Sequence, residues 1–338
     1  MANGNNPKIT LEDLAKLAGV SVSTVSRALN DFPSISDKTK QRIWRLARDH
    51  DYPLRFSLPD QRKGSEGSIV VVLPFVKGRP LPLSHPFFLE MLASIGEVAR
   101  ARNYEFTVSP IAPAVYDDLL LASATARPAK GLIFLGQGSL HKAFNDLADT
   151  PARFVVWGAQ LPNQKYRTIG SNNLLGGKRA TSHLARLGRK SIVFLGGHDP
   201  ESIQRRRGYH EALKENGLNA DPRLVADVEF ELDAADAAIS QMLRRGIEFD
   251  AVFSSSDLMA LGAIRAIRRA GMSVPQDVSI VGYDDMLLSR ISTPTLTTIR
   301  QDTYEAGRLL VSSILDPIRE GHSEVLTTEL IVRESCGG

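Results

Sequence analysis

The sequence predicts a protein of two parts, a small N-terminal group of helices followed by a much larger α/β core. Two observations support this fold class. Short helical patterns with capping residues fill about the first fifty positions. Beyond them, apolar runs of strand length alternate with amphipathic helical patterns, which is typical of parallel sheets covered by helices on both faces. With 338 residues, the chain is long enough for two or three domains.

Residues 10–30 indicate two short helices joined by a tight turn. Thr10 can cap the first helix, with Asp13 at the capping-box position, and Gly19 suits a left-handed helix end. Ser21 can cap the second helix. This arrangement is typical of the helix-turn-helix, whose second helix lies in the major groove of DNA. An ordinary helical hairpin has the same spacing, so spacing alone leaves both interpretations open.

A third helix and a charge imbalance complete this region. Ser36 can cap a helix over about 37–49, whose apolar positions, such as Ile43, can pack on the first two helices. Residues 1–63 carry eleven Lys/Arg against seven Asp/Glu, whereas the remaining chain carries thirty against thirty-one. Because DNA phosphates attract positive charge, this split favours DNA binding without deciding it.

The core is predicted to consist of two lobes. Its strand-like runs are 68–75, 104–111, 131–136, 153–158, 167–171, 191–197, 224–230, 251–256 and 279–285, with further strands in 293–302 and 326–335. Helical patterns lie at 86–102, 116–125, 139–149, 174–187, 202–216, 233–245, 257–270 and 304–320. So many strands are more than one open sheet usually holds, which favours two doubly wound parallel sheets.

Composition sets the expected domain boundaries. Residues 51–67 contain two prolines and two glycines and separate the helical region from the first apolar run. We therefore assign residues 1–56 to the helix-turn-helix domain, 57–67 to a hinge and 68–338 to the core. Within the core, we expect one lobe at about 68–166 and 298–324, and the other at about 167–297 and 325–338.

Polar residues follow several strands of the core. Examples are GGHD at 196–199, SSSD at 254–257 and GYDD at 282–285. Because parallel sheets of this kind bind ligands at the carboxyl ends of their strands, we expect a binding site in the cleft between the lobes.

The sequence contains no motif that indicates an enzyme. It has no G-x-x-x-x-G-K-[ST] phosphate loop, no complete G-x-G-x-x-G, no H-E-x-x-H and no G-x-S-x-G. We therefore predict no catalytic residues, no metal and no cofactor. The single cysteine, Cys336, cannot form an intrachain disulfide. Neither a signal peptide nor an apolar run of about 20 residues is present, so we expect a cytoplasmic protein with no membrane partner.

The sequence resembles the LacI/GalR family of bacterial transcription regulators. The resemblance begins with TLEDLAKLAGVSVSTVSRALN and SDKTKQRIWRLA and continues through HPFF (85–88), GLIFLG (131–136), RRRGY (205–209), SDLMALGAIRAIRRAGMSVPQDVSIVGYDD (256–285), TPTLTTIRQD (293–302) and ELIVRES (329–335). These blocks occur in the family's order and cover almost the whole chain. The resemblance favours DNA binding over the simple helical hairpin and implies a core like that of periplasmic binding proteins.

The resemblance implies a homodimer whose two headpieces read a pseudo-palindromic operator. Val22, Ser23 and Arg27 match the family's base-reading positions, and Arg27 can pair with guanine O6 and N7. Three further residues are suited to phosphate contacts or capping, namely Ser21, Thr24 and Ser26. Leu58 is a candidate for the hinge side chain that enters the minor groove, although Pro59 would interrupt a hinge helix. The helices at about 86–102 and 257–270 match the family's dimer contact.

The resemblance also implies an effector site in the cleft. Its candidate residues are Phe87, Phe88, Trp157, Arg205, Phe230, Ser256, Asp284 and Gln301. Asp284 can accept hydrogen bonds from two adjacent hydroxyls, Arg205 can donate in a fork, and Phe230 can cover the apolar face of a sugar. Ser256 stands where sugar-responsive members often have asparagine.

We therefore interpret the protein as a sequence-specific transcriptional regulator of the repressor type. Its operator affinity would be controlled by a small molecule in the cleft, with a mono- or disaccharide as the expected effector. One alternative is a purine-responsive, corepressed regulator of the same architecture, because arginine and aspartate also suit a nucleobase. The other is a solute-binding protein, which would need an export signal and no headpiece.

Overall fold

The computed structural model divides the chain into two units, residues 1–65 and residues 66–338. The structure describes residues 9–29, 32, 34–50, 52, 66–74, 85–111, 129–316 and 322–337. Leu58, most of the expected hinge and the expected helix at 116–125 lie outside the described residues. Each unit contains its own hydrophobic clusters and is described separately.

The first unit contains the three expected helices. They are α1 (Leu11–Ala18), α2 (Val22–Leu29) and α3 (Asp37–Asp49). Leu14, Val25 and Ile43, one from each helix, are at most 1% exposed and lie in one hydrophobic cluster. Ser36 caps α3 by accepting a hydrogen bond from the Thr39 backbone N–H at 3.3 Å. The apolar stripes of the sequence are therefore the faces on which these helices pack.

The predicted turn between α1 and α2 is confirmed. The Thr10 hydroxyl accepts from the Asp13 N–H at 3.2 Å, while the Thr10 N–H donates to the Asp13 carboxylate at 2.9 Å. Gly19 ends α1 with a φ of 63°, which a residue with a Cβ adopts only at a cost. The Ser21 hydroxyl accepts from the Thr24 N–H at 3.1 Å and begins α2.

The first lobe of the core contains a six-stranded, fully parallel sheet in the order β2-β1-β3-β4-β5-β11. These strands are β1 (Ser68–Pro74), β2 (Glu105–Ile111), β3 (Gly131–Leu135), β4 (Phe154–Trp157), β5 (Thr168–Ser171) and β11 (Glu324–Leu326). Its helices are α4 (Pro86–Ala101), α5 (His141–Ala148) and α11 (Thr303–Leu315). Ile69 and Val71 of β1 enter one hydrophobic cluster, and Val70 and Val72 enter another. Because both faces are covered, the strand is apolar throughout.

The second lobe repeats this architecture. Its sheet has the order β7-β6-β8-β9-β10-β12, with only β12 antiparallel to its neighbour. The strands are β6 (Ile192–Gly196), β7 (Val225–Asp227), β8 (Ala251–Ser254), β9 (Ser279–Asp284), β10 (Thr297–Arg300) and β12 (Glu329–Ile331). The helices are α6 (Asn173–Arg186), α7 (Pro200–Glu215), α8 (Leu232–Arg244), α9 (Asp257–Arg269) and α10 (Leu287–Ile291). Val193 and Leu195 of β6 face one cluster, whereas Ile192 and Phe194 face the other.

The boundaries between the lobes differ from those expected. Residues 167–171 were assigned to the second lobe, but β5 pairs with β4 and β11 in the first sheet. Residues 298–300 were assigned to the first lobe, but β10 pairs with β9 in the second. The single strand expected at 326–335 is instead two short strands, β11 and β12, one in each sheet. Apolar runs indicate strands but not their partners, so the sequence could not resolve these crossings.

Within the part of the chain that the structure describes, no helix is long and apolar enough to cross a membrane.

Candidate functional site

A cleft of about 860 Å³ lies between the two lobes of the core. Its lining comprises His85, Phe87, Phe88, Gly136, Gln137, Gly138, Ser139, Trp157, Gly197, His198, Asp199, Glu201, Arg205, Asp227, Val228, Glu229, Phe230, Ala234, Asp284 and Gln301. Most of these residues follow the carboxyl ends of parallel strands or lie near the start of the next helix. This is the location expected for a ligand site in such sheets, and the volume is within the usual range for small-molecule pockets.

Aromatic side chains from both lobes contribute to the cleft. Phe87 and Phe88 project from α4, with ring centroids 5.8 Å apart, and Trp157 at the end of β4 lies 6.1 Å from Phe87. Phe230 follows β7 in the second lobe. The sequence-predicted aromatic residues are therefore brought together around one cavity, where they offer apolar faces to a ligand.

Arg205 projects from α7 and is held in place by contacts within the second lobe. Its Nε donates to Asn173 Oδ1 at 2.8 Å, and one of its terminal nitrogens donates to the Ser255 carbonyl. Its guanidinium carbon also lies 3.7 Å from the centroid of the Tyr283 ring. Only 5% of the residue is exposed. The guanidinium is thus fixed in orientation, and much of its donor capacity is already used.

Asp284 ends β9 in an unusual backbone conformation, with a φ of 121°. Gln301 Nε2 donates to its Oδ1 at 2.7 Å, so two of the predicted residues contact each other directly. Burial raises the pKa of Asp284 to about 7, an effect that Arg205 and the Gln301 hydrogen bond only partly offset. A non-glycine residue with positive φ is uncommon, and such strain tends to occur at functional sites.

The adjacent Asp285 has the opposite environment. Arg300 Nε donates to its carboxylate at 2.8 Å, and Arg333 donates to its other oxygen. Although burial opposes the change, the hydrogen bonds from Arg333 and Arg300 lower the pKa of Asp285. Asp285 therefore joins β9, β10 and the C-terminal segment, and it does not line the cleft.

Asp199 and Glu201 add two further carboxylates to the cleft lining. Asp199 caps α7 by accepting from the Ser202 N–H at 2.8 Å, and Glu201 lies in the first turn of the same helix. Burial, reinforced by the negative charge of Asp199, raises the pKa of Glu201 to about 8. Asp199 belongs to the GGHD segment that the sequence predicts as a polar strand end, whereas no sequence signal indicates Glu201.

His85 and Gln137 also line the cleft and were not predicted. Both ring nitrogens of His85 are buried without a hydrogen-bond partner among the described residues, and burial lowers the pKa of His85 to about 4. Gln137 is fully buried; its Nε2 donates to the Tyr166 hydroxyl at 2.6 Å, whereas its Oε1 has no partner there. Buried polar atoms are normally satisfied, so these atoms are candidates for ligand contacts.

Ser256 is the one proposed effector residue that the structure places outside the cleft lining. It is fully buried, and its hydroxyl accepts from the Met259 N–H at 3.2 Å to cap α9. A serine directly before a helix is a strong capping residue, so its side chain is used in starting the helix.

The candidate DNA-reading residues lie on or next to α2. Ser21, Ser23 and Arg27 are exposed, and Val22 is 40% exposed although valine is apolar. Thr24 and Ser26 are partly buried, and the Ser21 hydroxyl lies 2.8 Å from that of Thr24. The helix thus buries Val25 and Ala28 and leaves Val22 and Arg27 at the surface.

Comparisons with known proteins agree with both units. A family model described as "Bacterial regulatory proteins, lacI family" matches residues 10–53, and one described as "Periplasmic binding protein-like domain" matches residues 181–336. The HTH-type transcriptional regulator CelR of Thermobifida fusca is 30% identical over 96% of this chain and 98% of its own length.

Solved structures give the same result. The transcriptional regulator CelR–cellobiose complex is 29% identical, with a TM-score of 0.71 over 97% of this chain and 100% of that chain. The lac repressor dimer bound to operator and the anti-inducer ONPF is 25% identical, with a TM-score of 0.67 over 97% of this chain and 99% of that one.

A helix-turn-helix unit joined to a two-lobed core with an interlobe cleft defines an effector-controlled, DNA-binding transcriptional regulator. The chain belongs to the LacI family.

Proposed function

We propose that this protein is a repressor that binds a pseudo-palindromic operator as a homodimer and changes its operator affinity when a sugar occupies the cleft. The cleft itself carries this proposal. Aromatic faces from both lobes surround polar groups at strand ends, which is the combination that a sugar requires. The relative whose structure contains cellobiose supports a saccharide rather than another small molecule.

On the DNA side, α2 supplies the reading surface. Arg27 is exposed on the face of α2 opposite the buried Val25 and Ala28. A guanidinium can donate two hydrogen bonds to one guanine, at O6 and N7. Val22, at the start of the same helix, can contact a thymine methyl group. Ser21, Ser23 and Thr24 are suited to backbone phosphates near the helix N-terminus.

On the effector side, the two lobes offer different groups. Phe87, Phe88 and Trp157 provide an apolar surface from the first lobe, and Phe230 provides another from the second. Asp284 supplies an acceptor whose position is fixed by Gln301. A ligand that contacts both lobes favours one angle between them, and any change in that angle alters how paired headpieces meet the operator. Such coupling typically amounts to about 1–3 kcal/mol and is reciprocal.

The proposal assigns no catalytic step to the core, and it places the protein in the bacterial cytoplasm because its operator is there.

The DNA half is tested with an operator selected from random duplexes by the wild-type protein. Arg27→Ala should lose about 1–3 kcal/mol of discrimination between this operator and a variant with the contacted guanine replaced. Arg42→Ala removes an exposed arginine of α3 and serves as the matched control. Unchanged operator selectivity in Arg27→Ala, measured by fluorescence anisotropy, would refute the base-reading assignment.

The effector half is tested by calorimetry on the full chain with neutral mono- and disaccharides and with purines. Trp157 provides a second readout, because ligand contact should change the fluorescence of this buried side chain. Trp157→Phe should remove that signal, while Trp44 remains as an internal reference. Saturable binding of a purine alone would replace the sugar with the corepressor alternative.

A further inference from the structure

We propose that the Asp199–Glu201 pair makes the cleft selective for uncharged saccharides and excludes phosphorylated or otherwise anionic sugars. This inference rests on the proposed function, since it concerns which sugars the same cleft admits.

Negative groups dominate the lining. Its five carboxylates are those of Asp199, Glu201, Asp227, Glu229 and Asp284, whereas Arg205 is its only arginine or lysine among the described residues. Arg206 neutralises Asp227 from outside the lining, at 2.8 Å. Asp199, Glu201 and Asp284 form no salt bridge with the rest of the described chain. An anionic ligand would therefore enter a field of its own sign.

The one guanidinium cannot compensate for these charges. Arg205 already donates to Asn173 and to the Ser255 carbonyl and lies over the Tyr283 ring. Sites that bind phosphate normally present a guanidinium fork or several backbone N–H groups to the ligand. Here the fork is largely engaged with protein oxygens, so it is poorly placed to hold a phosphate.

The N-terminus of α7, one of the helix N-termini at the cleft, is blocked as well. Helix N-termini attract anions because their first N–H groups lack intrahelical partners. At α7, Asp199 accepts from the Ser202 N–H at 2.8 Å, and Pro200 at the first helical position has no N–H to offer. The protein's own carboxylate thus occupies the place that an anionic group of the ligand would take.

The remaining polar groups of the cleft are mainly hydrogen-bond acceptors, so they favour a ligand that donates hydrogen bonds. Asp199 accepts hydrogen bonds through its carboxylate, and Glu201 accepts them through its carboxyl oxygens. Once Glu201 is ionised, the repulsion between the two carboxylates decreases when a ligand donates to them. From the other lobe, the fully buried Gln137 contributes an Oε1 without a partner among the described residues. Sugar hydroxyls can donate to all three, whereas a phosphate group at neutral pH offers almost only acceptors. The polar groups thus favour the same class of ligand as the charge distribution.

Calorimetry at pH 9, above the pKa of about 8 of Glu201, tests the proposal with matched pairs of ligands. The probes are cellobiose, maltose and lactose, each compared with its 6′-phosphate, because each pair differs only in the anionic group. At least one neutral disaccharide should bind, with its phosphate at least tenfold weaker. Asp199→Asn with Glu201→Gln should reduce that ratio by threefold or more, since both replacements keep the shape, and asparagine remains a good helix cap.

Asp221→Asn is the control variant. Asp221 is another aspartate of the second lobe that caps a helical turn, but it lies outside the cleft lining, so its replacement should leave the ratio unchanged. Raising the salt concentration should also reduce the wild-type ratio between the affinity for the neutral sugar and the affinity for its phosphate, because the exclusion is electrostatic. Far-UV circular dichroism of each variant verifies folding.

The possible outcomes distinguish a failure of the selectivity proposal from a failure of the proposed function. A phosphate that binds the wild type as tightly as its neutral partner overturns the selectivity proposal and leaves a sugar-controlled regulator. An unchanged ratio in the folded double variant overturns the role of this pair. If no saccharide of either charge binds or alters operator affinity, the proposed function itself fails.

Discussion

Replacing Asp284 with asparagine should stabilise the core at neutral and alkaline pH. Asp284 is only 6% exposed, and burial raises the pKa of its carboxyl group to about 7. Folding therefore takes up a proton here, so the wild type is most stable below the unfolded pKa of about 3.9 and loses stability as the pH rises to about 7. Asparagine has the shape of the protonated acid and carries no charge, so it avoids this loss.

The size of the effect follows from the two pKa values. At about 1.4 kcal/mol per pKa unit, the raised pKa of Asp284 costs about 4 kcal/mol of stability at pH 8 but only about 1–2 kcal/mol at pH 5. Asp284→Asn should recover most of these amounts in the free energy of unfolding. The gain should thus be larger at pH 8 than at pH 5, by about 2–3 kcal/mol.

Urea unfolding of the full chain between pH 5 and pH 8 measures this difference, with Trp157 fluorescence reporting on the core. Asp285→Asn is the matched control because Asp285, unlike the adjacent Asp284, is ion-paired. Arg300 and Arg333 lower the pKa of Asp285, so its ionised form contributes stability above the unfolded pKa that is lost as the pH falls through the folded pKa. Asp285→Asn should therefore destabilise the core, by about 3–5 kcal/mol at pH 8.

A decrease in stability for Asp284→Asn at pH 8, or an equal gain at both pH values, would refute this account of Asp284. The same variant should bind the effector more weakly, because it loses a charged acceptor in the cleft. Asp284 thus lowers the stability of the core while it offers the ligand an acceptor, and this trade-off is typical of residues at binding sites.

The remaining predictions concern the two units separately. Thr10→Ala should weaken α1 by about 1 kcal/mol, because it removes the hydroxyl that caps the Asp13 N–H, and faster hydrogen exchange of the α1 amides in the full chain would report it. Met286→Ala should cost the core about 2–5 kcal/mol in urea unfolding, since Met286 is fully buried in the cluster of the first lobe. The adjacent Leu287 is 63% exposed, so Leu287→Ala should change stability by less than about 0.5 kcal/mol; similar costs at both positions would contradict the assigned burial.

Local signals were the part of the fold that the sequence could predict. Thr10, Gly19 and Ser21 cap or end helices through contacts only a few residues apart, and each does so where expected. The crossings between lobes depend on which strands pair, and this is decided by distant contacts. Residues 168–171 and 298–300 have good strand sequences for either sheet, so their assignment to the wrong lobe involved no local error.

The candidate site shows the same division. Phe87, Trp157 and Asp284 were proposed from the family resemblance, and all three line the cleft. Gln137 and Glu201 were missed because a buried oxygen or a displaced pKa exists only once the lobes have folded. Resemblance also suggested Ser256, but the helix that follows it uses its hydroxyl.

The chain passes between the lobes three times, between β5 and α6, between β10 and α11, and between β11 and β12. These three covalent connections allow the lobes to rotate relative to each other but prevent them from separating. A protease that cuts one crossing would leave both lobes attached through the other two. The fold thus restricts the ligand's effect to a few related movements, and a small shift in the cleft can become a defined rotation.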